Sequence, residues 1–154
     1  MSYANLLRLP AALVLACVGL TAADNIGLGT WKLDNSRSTA NGQQVKGSTT
    51  VTFTQSGDEI TRVAEIVAPD GTKTTSRWTG KLNGKDYPLS EPGWTMSIKQ
   101  AGKNTMAVTM KRDGKVMSTV TRTLSADGKH IHATIKGTDI NGQPLVGEQY
   151  LDKQ

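Results

Sequence analysis

The chain has 154 residues, with 18 basic and 13 acidic side chains for a net charge of +5, and it is 36% hydrophobic. That length suits one domain and excludes two. The basic excess is not the footprint of a nucleic-acid partner: lysines such as Lys73, Lys85, Lys103 and Lys115 recur singly, near turns and on alternating strand positions, without clustered aromatics. Lysines so spread keep strand edges from pairing with other chains.

Residues 1–23 differ from the rest. Arg8 is the single charge before an almost wholly apolar run over residues 9–20, followed by the small Thr21, Ala22 and Ala23 and the polar Asp24-Asn25. This is the layout of a helical secretory signal peptide, with cleavage expected after Ala23 and a mature domain over residues 24–154. The run is shorter than the roughly 20 apolar residues of a membrane span, so no permanent transmembrane anchor is expected. Removing the peptide takes Arg8 away and leaves a net charge of about +4. It also removes Cys17, the one cysteine, and with it any route to a disulfide. The expected location is the periplasm or the exterior of a bacterial cell. Val14-Leu15-Ala16-Cys17 resembles a bacterial lipobox, which makes a lipoprotein anchored through Cys17 the alternative.

The mature part reads as strands separated by tight turns. Gly29-Thr30-Trp31-Lys32-Leu33 opens the first strand, and residues 35–44 are polar and loop-like, with at most a short helical turn. Val51 and Phe53 then alternate with Thr50, Thr52 and Thr54, and Ile60, Arg62, Ala64 and Ile66 share the next face. Later faces carry Trp94, Met96 and Ile98; Met106, Val108 and Met110; Val120, Arg122 and Leu124; and Ile131, Ala133 and Ile135. On the last strand Val146, Glu148 and Tyr150 share one face while Leu145, Gly147, Gln149 and Leu151 share the other, and alternation alone does not choose the inner one. Asp70-Gly71, Asn83-Gly84, Asp113-Gly114, Asp127-Gly128 and Asn141-Gly142 supply the positive φ angles that short hairpins require. The class is all-β: a single antiparallel meander. A meander this long exposes two edges unless it closes, so a barrel of roughly eight to ten strands is predicted, monomeric, its interior filled by side chains or holding one small ligand.

Catalytic signatures do not occur: HExxH, GxSxG, a phosphate-cradling loop and a cysteine pair are all missing from the sequence. No enzyme activity and no cofactor are expected. His130 and His132 share a face opposite Ile131, Ala133 and Ile135, which places them toward solvent, and no third ligand stands beside them to complete a metal site. The candidates for binding are polar residues that alternation aims inward. Arg122 lies between Val120 and Leu124, and Arg62 shares a face with Ile60, Ala64 and Ile66; if the Val146 face is the inner one, Glu148 and Tyr150 point at the same interior as Arg122. A buried arginine needs a partner. Two readings follow: an Arg122–Glu148 structural pair, or an Arg122–Tyr150 site for the anionic end of a ligand. Trp78, Trp94 and Met96 are candidates for the apolar wall of such a cavity, the tryptophans being equally at home as plain core.

Gly29-Thr30-Trp31 resembles the G-x-W opening of the lipocalins and fatty-acid-binding proteins, the calycin group. That resemblance implies a barrel in which Trp31 plugs one end beneath an arginine from a late strand, and Arg122 is the candidate, an arrangement cation–π attraction favours. The stretch over residues 29–36, Gly84-Lys85-Asp86-Tyr87-Pro88 and Lys136-Gly137-Thr138-Asp139 are similar to strings in a group of secreted bacterial proteins of unassigned function. Two departures matter. Residues 35–44 are too few for the helical lid of fatty-acid-binding proteins, and their closing Arg-x-Tyr, which grips a carboxylate, stands here as Glu148-Gln149-Tyr150. The leading expectation is therefore a secreted or periplasmic barrel holding a small, partly apolar and anionic molecule. The alternative is a non-catalytic envelope module with a filled core that works through its outer surface.

Overall fold

The computed structural model describes residues 27–154; the expected signal peptide, its cleavage site and Cys17 lie outside the described residues. The described chain forms strands and turns: β1 (Gly29–Leu33), β2 (Thr39–Ala40), β3 (Gln43–Gln44), β4 (Ser48–Ser56), β5 (Glu59–Val67), β6 (Lys73–Gly80), β7 (Tyr87–Pro88), β8 (Trp94–Gly102), β9 (Thr105–Arg112), β10 (Lys115–Leu124), β11 (His130–Thr138) and β12 (Pro144–Lys153). The spatial order β6-β5-β4-β1-β12-β11-β10-β9-β8-β7 is antiparallel at every step. From β4 to β12 the sheet is a meander, and it curls until β12 pairs with β1. The predicted class and strand number hold.

Closure happens at a seam between β6 and β8, where the short β7 stands in for a full strand. Trp78 pairs with Leu89 through an isolated bridge, and the Ser90 amide donates to the Arg77 carbonyl at 2.9 Å. The Trp78 indole spans the gap: its N–H donates to the Met96 carbonyl on β8 at 2.8 Å, and its ring meets Tyr87 edge-on at 6.0 Å. Gly80 makes room for this. A Cβ there would lie 2.6 Å from both rings.

Residues 35–44 depart from the expected loop. β2 and β3 form a small hairpin that pairs with β12 through Ala40–Gly147 and Thr39–Glu148. Its turn is Asn41-Gly42, with φ of +51° and +76°. Both Asn41 groups facing β12 are used: its amide donates to the Val146 carbonyl, and its side-chain oxygen accepts from the Val146 amide. Asn-Gly is the strongest short-range hairpin signal, and this one stands in plain view of the sequence.

The core lies within the barrel. One end is closed by the innermost residues at the strand termini: Ile60 at the start of β5, Met106 at the start of β9, Ile131 at the start of β11, and Trp31 on β1, each at most 3% exposed. Trp31 is fully buried. Its indole N–H donates to the Gly27 carbonyl at 2.6 Å, so the apolar ring is buried without stranding its polar atom. The cation over the ring is Lys153 at 5.7 Å. Arg122 covers Phe53 instead, at 4.3 Å. Two stacks thus stand where one between Arg122 and Trp31 was expected, because Arg122 and Phe53 both project into the interior beyond Trp31.

Candidate functional site

Inside the barrel is a cavity of about 240 Å³. Its wall is mostly apolar, with Val51 and Phe53 from β4, Met96 and Ile98 from β8, Val108 and Met110 from β9, and Ile135 and Leu151 from β11 and β12. These are the inward halves of alternating strands, and their polar neighbours face water. Polar groups are few: Arg62, Arg122, Ser118 and Gln149. Sparse polar groups on an apolar wall are the usual composition of a small-molecule site.

The two arginines are deep. Arg62 follows the floor residue Ile60 by two positions on β5, and Arg122 precedes Leu124 by two on β10. Their relation runs through Phe53. The backbone of Phe53 pairs with that of Arg62 across β4 and β5, and the Arg122 guanidinium lies over the Phe53 ring. Cross-strand neighbours stand about 5 Å apart. Burial lowers the Arg122 pKa to about 10, and the positive charge of Arg62 pushes it the same way. Burial also lowers that of Arg62, offset in part by attraction to Glu91 in the turn before β8. The Arg62 Nη1 atom is buried without a hydrogen-bond partner among the described residues. On the wall beside Arg122, the pairing Arg122–Ala133–Gln149 places a small residue between guanidinium and carboxamide, and all three line the cavity.

Of the residues read from the sequence, Met96 and Arg122 line this cavity. Trp78 and Trp94 face inward as alternation predicts but do different work. Trp78 seals the seam, and Trp94 lies half-buried at the start of β8, beneath the Arg112 guanidinium at 5.9 Å. Glu148 and Tyr150 face outward. The register decides this: Leu151 pairs with the buried Leu33 on one side and the buried Ile131 on the other, which makes Leu145, Gly147, Gln149 and Leu151 the inner face of β12. The pairing of Arg122 with Glu148, and a ligand grip by Arg122 with Tyr150, are both corrected on that ground. Arg62, read from the sequence as an inward polar candidate on β5, also lines the cavity, and Gln149 is the wall residue that the sequence reading did not single out.

Glu148 and Tyr150 belong to an outer-surface cluster. The Tyr150 hydroxyl donates to Glu148 at 3.1 Å, its ring stacks on His132 at 4.6 Å, and Arg37 covers it at 5.1 Å. Arg37 also bridges Asp34 and Asp152, and His130 meets Asp152 at 2.7 Å. These contacts fasten the turn after β1 to β11 and β12. Both histidines stand on the outer face, as expected. Among the described residues, no group of three or more His, Cys, Asp or Glu side chains is arranged to hold a metal.

No protein-family model matches the sequence, and no curated protein matches it. Solved structures do. A secretory abundant heat soluble protein of Ramazzottius varieornatus superposes with a TM-score of 0.62 at 17% identity, over 84% of this chain and 96% of that one. A Schistosoma mansoni fatty acid binding protein, solved with arachidonic acid, gives 0.54 at 15% identity, over 83% and 96%. A zebrafish ileal bile acid binding protein, solved with cholic acid, gives 0.50 at 12% identity, over 82% and 98%. At these identities the likeness is one of fold, and that fold is the nearly closed antiparallel barrel of the fatty-acid-binding and lipocalin-like proteins.

Proposed function

We propose that the protein is an exported, monomeric, non-catalytic carrier that holds a small, partly apolar, anionic molecule inside its barrel. The observation that carries this reading is the interior cavity itself, an apolar wall with arginine at its deep end. A barrel serving only as scaffold gains by filling such a void, since empty space forfeits dispersion contacts. Two of the structures that share the fold were solved with amphipathic acids bound, which supports the choice of ligand class. The apolar run over residues 9–20 with the small residues after it supports export.

Native mass spectrometry of the protein taken from its own envelope fraction tests this. A bound small-molecule mass that disappears in Ala133→Phe, which fills the cavity from its wall, is the expected result. A bare mass in both forms would favour the filled-core envelope module. The same spectrum reads the first residue: Asp24 for soluble export, a lipidated Cys17 for an anchored form.

A further inference from the structure

Resting on that reading, we propose that the barrel takes an organic anion whose charged group sits against Arg62 and Arg122 just above the closed end. The apolar body of the ligand then fills the cavity toward Ile135 and Leu145.

Charge comes first. The cavity wall carries two guanidinium groups and, among the described residues, no carboxylate. The acid that acts on Arg62 is Glu91, placed in the turn between β7 and β8, where the Ser90 hydroxyl already donates to it at 2.9 Å. Two like charges in a low-dielectric interior repel, and an anion placed between them is attracted by both. Arg62 supplies the second argument. Its Nη1 donor is buried with no acceptor among the described residues, and a charged donor so placed is costly until an acceptor arrives. A carboxylate, sulfonate or phosphate ester presents the needed oxygens in a form that guanidinium binds well. Position is the third. Phe53 is the cross-strand neighbour of Arg62 and the ring under Arg122, so an anion at this ring reaches both groups while an alkyl or aryl body meets Val51, Met96 and Ile98.

Titration calorimetry on the delipidated protein with octanoate and 1-octanol tests the proposal. Octanoate is expected to bind at least tenfold tighter than octanol. Arg62→Met should lower octanoate affinity at least tenfold and leave octanol within threefold, the octanol result showing that the barrel is intact; Arg62→Lys should keep part of the preference. Equal binding of octanoate and octanol, or an Arg62→Met variant that keeps the preference, overturns the assignment of the anion site and leaves the carrier reading standing. Failure of both ligands to bind contradicts the carrier reading as well. Should Arg62→Met not fold, the ratio of octanoate to octanol affinity in Arg62→Lys decides: an undiminished ratio overturns the role given to the guanidinium.

Discussion

Replacing Trp78 with phenylalanine tests how the barrel closes. Trp78 is fully buried, its indole N–H donates to the Met96 carbonyl at 2.8 Å, and its ring stands edge-on to Tyr87. Phenylalanine keeps an aromatic ring but removes the donor, at about 1 kcal/mol for a hydrogen bond of this kind. The smaller ring also leaves a void against Tyr87 and Leu89, costing about another 1–2 kcal/mol. The sum is about 2–3 kcal/mol, a drop in Tm of about 10 °C for a domain of this size. Trp94→Phe is the matched control, because Trp94 is half-buried at the start of β8, beneath the Arg112 guanidinium and away from the β6 seam. It should cost under about 1 kcal/mol. Urea denaturation gives both values, and amide hydrogen exchange locates the effect: Leu89 and Ser90, whose amides donate to Trp94 and Arg77, should exchange faster in Trp78→Phe while the β10–β11 amides do not. Equal losses in the two variants, or exchange unchanged at the seam, would refute the view that Trp78 holds β6 to β8.

Three further outcomes follow from the same geometry. Gly137→Ala should unfold or severely destabilise the protein, because the added Cβ would lie 2.0 Å from the Met117 carbonyl oxygen, beside the irregularity that the β9–β10 pairing carries between Val116 and Ser118; a thermal melt within a few degrees of the parent would contradict it. Asp34 has a carboxyl held at about 2, below its ordinary 3.8, first by the Ser36 hydroxyl and then by Arg37. Its contribution is fully present above pH 3.8 and is lost as pH falls through 2, so Asp34→Asn should flatten the decline of stability across that interval, measured by urea midpoints at successive pH values. Glu148→Gln and Tyr150→Phe should leave octanoate affinity within threefold by calorimetry, since both side chains face outward; a tenfold loss in either would return them to the site.

Much of this arrangement was readable from residue order. Period-two alternation put Met96, Arg122 and both tryptophans on inward faces, and the Asn-Gly and Asp-Gly pairs marked the hairpins. What alternation does not encode is depth along the barrel. Trp78 and Met96 point the same way, yet one fills the seam and the other the cavity wall, a difference created by where the short β7 interrupts the sheet. The β12 faces were undecidable for another reason. Val146, Glu148 and Tyr150 are about as apolar as Leu145, Gly147, Gln149 and Leu151, so only the long-range register with Leu33 and Ile131 separates them. Arg62 was legible as an inward arginine, but its significance depends on Arg122, which lies sixty residues on and reaches it only once the sheet has curled shut.

The most direct test of the central claim is a methyl NMR titration with octanoate. Binding within the barrel predicts shift changes, and contacts to the ligand, at the methyls of Met96, Met110, Ile98 and Ile135, with the exposed Val146 and Ile140 unmoved. Shifts confined to Val146 and Ile140, or none at the interior methyls with ligand in excess, would contradict the account and move the working surface to the outside of a closed and inert barrel.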